Sequence, residues 1–210
     1  MKKFLLHPVY FPSIVQMAVS AQAEEIVFER EDNYQKQTYR NRSYIAHNNG
    51  KLLLNVPIKH ISKGKRQKYR DVVTENDFPW QQQHWKSLKN AYRTSPFFEF
   101  YEDELEPLLT KPIEKLYQYN LDIFELLAEL IGFDAEISFT EEYFRELKDS
   151  LDLRILAKAK LKTEIKIPKY TQVLEASHGF IPNLSVLDLL FNEGPNTLNY
   201  LENLNIDIFK

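Results

Sequence analysis

The sequence predicts an α/β fold, on three observations. The opening stretch, MKKFLLHPVYFPSIVQMAVSAQAEEIVFE, sets two short apolar runs on either side of a helix-like one. That order suits a parallel pair of strands joined by a crossover helix. Further on, Asn49-Gly50, the strongest short-range hairpin signal, separates an alternating run from a second strand-like one. From Pro79 onward apolar residues recur at helical spacing. The expectation is an N-terminal mixed sheet that starts with a strand–helix–strand unit and a hairpin. Helices from the C-terminal half cover it, and residues 1–210 form a single domain.

The first element is a strand from Phe4 to Tyr10. Pro12-Ser13 makes a turn, Ile14 to Ala21 a helix, and Glu25 to Glu29 a second strand. The same stretch superficially resembles a secretory signal, with two lysines ahead and AQA behind. Such a signal needs an unbroken apolar core of about 7–15 residues. His7, Pro8, Pro12, Ser13 and Gln16 interrupt every candidate core. Strand–helix–strand is therefore the reading adopted, and with it a cytoplasmic protein.

Arg30 to Gln37 is polar and reads as a loop. Tyr39 to Ala46 and Lys51 to Ile58 are the hairpin strands, and DVVTEN is a candidate short strand. In FPWQQQHWKSLKNAYRTS, Trp85, Leu88 and Tyr92 share one helical face. Pro79 suits the first turn of that helix, and Ser95-Pro96 stops it. PFFEFYEDELEPLL is the next helix. PIEKLYQYNLDIFELLAELIGF follows with an apolar stripe from Ile113 to Leu130 and a terminating Gly132. AEISFT reads as a strand. From Glu141 a helix is expected, with Thr140 as its cap, passing into a lysine-rich link as far as Lys169. Near the end, Ser185 and Asp188 resemble a capping box, and Gly194-Pro195 closes that last helix.

Composition narrows the chemistry. With Cys 0 there is no disulfide, thiol nucleophile or cysteine-based zinc site. No two-His spacing, Ser–His–Asp signature or glycine-rich phosphate loop is present, so no metal is expected and no cofactor can be named. No apolar run approaches the roughly 18 residues of a membrane helix, so no membrane insertion is expected. The net charge of -3 argues against nucleic acid as a partner. The basic run KHISKGKRQKYR is the one counter-signal, and it lacks aromatic stacking platforms.

The segments PVYFP, YRNRSYI, LLNVPI, HWKSLKNAYRTSPFF and GFIPNLSVLDLLFNEGP, in that order, resemble the WbqC-like family. The similarity runs from about Pro8 to Leu201. The first turn departs from the family pattern: Ser13 stands where Trp is usual, with no Gly-Tyr pair after it. The resemblance implies a role in biosynthesis of bacterial surface polysaccharide of the O-antigen type. It further implies acyl, aminoacyl or glycyl-like transfer to a sugar or nucleotide-sugar. The alternative is a non-catalytic anion- or nucleotide-sugar-binding protein of the same pathway. Either way the partner is a small molecule, a nucleotide-sugar or an acyl carrier.

Candidate residues follow from their own chemistry. Arg40 and Arg42 flank Asn41, and on one strand face two guanidiniums would clamp a phosphate or carboxylate. The plain alternative is a solvated face. His7 ends the first strand, where ligands of open α/β sheets gather. His84 lies beside Trp85 on a helix, with Lys86, Lys89 and Arg93 nearby. Either imidazole is a candidate general base, and either is also an ordinary packing residue. Tyr10, Lys89, Asn183 and Asp188 complete the candidate substrate-binding set, although capping explains Asp188 equally well.

Overall fold

The computed structural model describes residues 2–59, 66–145, 149–160 and 166–209. The fold is α/β. A parallel sheet of four strands has the order β5-β2-β1-β6, and a separate antiparallel pair is formed by β3 and β4. After the one at Ile14–Ala21, the α-helices described lie from Trp80 onward, with several in the C-terminal half.

Strand β1 (Lys3–Leu6) leads through helix α1 (Ile14–Ala21) to β2 (Glu25–Phe28), which pairs with β1 in parallel. Ser13 caps α1 by accepting a hydrogen bond from the Gln16 N–H. Every residue of α1 from Ile14 to Ser20 is buried, so this helix lies inside the protein.

Strands β3 (Arg42–His47) and β4 (Gly50–Asn55) form the expected hairpin, but it does not extend the parallel sheet. His47 pairs with Gly50, so the tight turn is Asn48-Asn49, one residue earlier than expected. Arg40 and Asn41 precede β3 and lie in a turn closed by the Asn41 N–H to the Thr38 carbonyl. DVVTEN forms isolated bridges rather than a strand, joining Ile58 to Thr74 and Val73 to Lys115. Half of the basic run, residues 60–65, lies outside the described residues.

Helices α2 (Trp80–Tyr92), α3 (Phe98–Thr110) and α4 (Leu116–Ile131) follow as expected. Gly132 ends α4 in the left-handed region, at φ 87°. Aromatic rings tie the layers together. Phe124 of α4 meets Phe28 of β2 edge-on at 5.0 Å. Strand β5 (Glu136–Phe139) pairs with β2, and the short β6 (Leu151–Asp152) pairs with β1 on the other side.

No helix begins at Glu141 among the described residues: the stretch from 141 to 145 is irregular. The Thr140 hydroxyl, expected as its cap, instead bonds to the Glu29 carboxylate at 2.9 Å. A short helix α5 (Glu175–His178) precedes α6 (Val186–Glu193) and α7 (Thr197–Glu202). Ser185 does cap α6, accepting from the Leu187 N–H at 3.3 Å.

Phe191 of α6 packs against Tyr92 and Phe98 at 5.1 and 5.0 Å. That junction leaves no room at Gly194, whose φ is 52°. A Cβ there would lie 2.5 Å from the Phe97 ring. Gly194→Ala combines left-handed strain with overpacking, together about 2–5 kcal/mol. The expected result is a lower urea midpoint at unchanged slope. An unchanged midpoint would show that Phe97 yields freely.

Candidate functional site

All four parallel strands end in polar residues on one edge of the sheet. His7 follows β1, Glu29 follows β2, Thr140 follows β5, and Asp152 with Arg154 marks the end of β6. The chain runs from β1 to β2 on one side, while β6 lies on the other. Open α/β sheets bind ligands at such a reversal of strand order, beyond the carboxyl ends. A cleft of about 400 Å³ lies here, lined by His7, Asp32, Arg40, Asp152 and Arg154, among others.

The cleft is built from interlocked charges. Arg40 Nη2 reaches Asp32 Oδ2 at 2.7 Å and His7 Nε2 at 2.5 Å. Asp32 Oδ2 is also 3.3 Å from that imidazole nitrogen. One ring nitrogen cannot accept from arginine and donate to aspartate together. Arginine has no acceptor, so Nε2 accepts and the neutral ring carries its proton on Nδ1. That Nδ1 is buried and has no partner. Burial, helped by the fields of Arg40 and Arg154 and opposed by Asp32, pushes the His7 pKa down to about 4. Burial alone would raise Asp32. The hydrogen bond and charge of Arg40 act against it, and Asp32 is held below the usual carboxylate range.

Glu29 anchors the other half of the cleft. Its Oε1 accepts the backbone N–H groups of Glu31 and Asp32 at 2.7 and 3.1 Å, and its Oε2 accepts from Arg154 at 2.9 Å. Arg154 also forks onto both oxygens of Asp152 at 2.9 and 2.6 Å. Arg40 is held from behind. Its guanidinium lies 5.2 Å over the Tyr69 ring, and Asn120 of α4 donates to its backbone carbonyl at 2.7 Å.

The sequence-derived candidates fall into separate groups. His7 and Arg40 meet in the cleft. Asn41 and Arg42 line a different cavity, because the turn at residues 38–41 directs Arg40 one way and the start of β3 the other. His84 lies in the aromatic core: the Tyr10 hydroxyl bonds to its Nδ1 at 2.8 Å, and the Trp80 ring is 5.2 Å away. Burial pushes the His84 pKa down to about 4 as well. Lys89 sits 5.2 Å over the Trp85 ring. Asn183 accepts the Val15 N–H at 3.0 Å, at the start of α1. Asp188 is fully buried, accepting from Gln172 at 2.8 Å and from the Tyr170 hydroxyl.

Glu29, which braces the cleft from behind, and the cleft residues Asp32, Asp152 and Arg154 escaped the sequence reading. The first two stand in EIVFERED, directly after an apolar strand. The rule that picked out His7 at the end of β1 applies equally to the end of β2.

Fold and cleft together define an open parallel α/β protein with a charged crevice at its topological switch point. Within that class the chain belongs to the WbqC-like protein family, whose model matches residues 7–166 and 160–200. It is similar to the uncharacterized protein Rv1507c of Mycobacterium tuberculosis, at 24% identity over 221 residues covering 91% of this chain and 94% of that protein. No solved structure matches it. Among the described residues no helix is long and apolar enough to cross a membrane.

Proposed function

We propose that the chain is a cytoplasmic acyl- or aminoacyl-transferase that modifies a sugar or nucleotide-sugar for bacterial surface polysaccharide. The observation that supports this reading is the contact of His7 with Arg40 inside the cleft at the strand ends. An imidazole and a guanidinium side by side offer a proton acceptor and an anion hold.

In the reading proposed, a phosphate or carboxylate of the substrate draws Arg40 away from His7 Nε2 and frees the lone pair. An anion at this place also offsets the positive fields of Arg40 and Arg154 that depress His7, so the imidazole becomes a stronger base as substrate binds. His7 then takes the proton from an acceptor hydroxyl or amine as that atom attacks the acyl carbonyl of an activated donor. The tetrahedral oxyanion collapses, the carrier group departs, and His7 returns the proton to it. Direct attack needs no enzyme nucleophile, in keeping with a chain that has no cysteine. Arg145 and Lys158, which also line the cleft, would steady the developing charge.

The test pairs nucleotide-sugars with acyl-coenzyme A thioesters and detects acylated sugar by mass spectrometry. Product is expected, and His7→Gln should cut its rate by about 10²–10⁴-fold with substrate binding retained. A His7→Gln protein as fast as the native one would remove His7 as base. One observation favours the second reading, a non-catalytic anion-binding protein: Arg40 occupies the very lone pair a base would use. Tight ligand binding without product across the panel would select it.

A further inference from the structure

Residues 32–42 serve two cavities. Asp32, Thr38 and Arg40 face the His7 cleft, whereas Tyr34, Asn41 and Arg42 line a second cavity of about 510 Å³. Val56 and Ile58 give the second cavity apolar walls, and Glu75 adds a carboxylate.

Its polar groups are unfinished. Asn41 is only 7% exposed, and both hydrogens of its amide nitrogen are engaged, with the Val56 carbonyl at 2.9 Å and Asn55 Oδ1 at 3.3 Å. Those contacts fix the amide orientation, and Oδ1 is left buried without a donor. On the next residue Arg42 Nε is buried without an acceptor. Among the described residues neither Arg42 nor Glu75 has an ion-pair partner, although both line this cavity. Buried polar atoms of native proteins are nearly always satisfied. An orphan acceptor, an orphan cationic donor and a carboxylate, set beside apolar walls and the further cation Lys36, call for a ligand that carries the complement.

We propose that this cavity binds a small organic acid of the α-hydroxy or α-amino class with an apolar or aromatic side chain. The acid group lies on the Arg42 guanidinium. The adjacent O–H or N–H donates to Asn41 Oδ1. The side chain rests on Tyr34, Val56 and Ile58. In an amino acid, Glu75 takes the ammonium charge. The site stands apart from the transferase reading: it requires nothing of His7.

Calorimetric titration of the full chain with phenyllactate, phenylalanine, phenylpropionate and inorganic phosphate tests it. Phenyllactate or phenylalanine should bind in the millimolar range or tighter. Phenylpropionate, which has the acid but no neighbouring donor, should bind clearly more weakly. Arg42→Gln should weaken binding roughly 10- to 100-fold, the range for a lost charge-assisted bond, with an unchanged circular dichroism spectrum. Should that variant not fold, Glu75→Gln should weaken phenylalanine and spare phenyllactate. The proposal is overturned if none of the organic acids binds, if phosphate alone binds, if phenylpropionate matches the donor-bearing acids, or if the variants bind as the native chain does. A transfer assay without product, beside intact acid binding, would remove the transferase reading and leave this one standing.

Discussion

Acidification from pH 6.5 toward 4 is expected to destabilise the protein by several kcal/mol. His7 and His84 are both held neutral by burial, each with a folded-state pKa of about 4 against an ordinary 6.5. A base with a depressed folded pKa gives stability that is complete above the unfolded value and is lost as pH falls through the window between the two. Each shift corresponds to about 3 kcal/mol. Near His7, Arg40 and Arg154 oppose its protonation and Asp32 favours it. Two carboxyls work in the other direction. Burial raises Glu29 and Asp188, so both take up protons more readily when folded and offset part of the loss. Urea titrations across this pH range check the expectation. Native protein should take up protons on unfolding, and His7→Asn should flatten the curve. A stability that stays level from 6.5 down to 4 would mean that the imidazoles titrate without cost in the folded state.

The architecture was largely legible because it follows from local signals. The start of α1 came from the Pro12-Ser13 turn, and Gly132 marked the end of α4 as only a glycine readily does. Strand β6 was not legible: two residues, Leu151 and Asp152, carry no periodicity, and only pairing with β1 makes them a strand. The site was legible in part for the same reason. His7 and Arg40 stood out by position and type, but their shared partner Asp32 and the cleft-lining Arg154 stand 25 and 147 residues further along the chain than His7. Local pattern reports where a strand ends. It does not report which charge a distant loop brings there. Arg42 shows the converse. Two-residue spacing implied a face shared with Arg40, but that inference needs an extended backbone through residues 40–42. Here a turn replaces it.

Glu29→Ala is expected to cost about 3–5 kcal/mol, the range for removing one partner of a buried ion pair. For a chain of this size that corresponds to a melting temperature lower by roughly 6–20 °C. Glu29 is fully buried, and its carboxylate satisfies Arg154, Thr140 and two backbone N–H groups at once. Alanine strands all four donors, and Arg154, with a side chain only 10% exposed, has little water to turn to. Glu29→Gln separates the two jobs of the carboxylate. Its amide oxygen can still accept from the backbone and Thr140, while the charge opposite Arg154 is gone. A smaller loss of about 1–3 kcal/mol is expected for it. Thermal unfolding of both variants decides the matter, and equal losses would show that the Arg154 pairing, rather than the loop anchoring, dominates. The consequence for the cleft is direct, since the N–H of Asp32 and the guanidinium of Arg154 are fixed by the two oxygens of one side chain. Loosening Glu29 therefore frees both walls of the His7 cleft, and weaker ligand binding should accompany the lost stability.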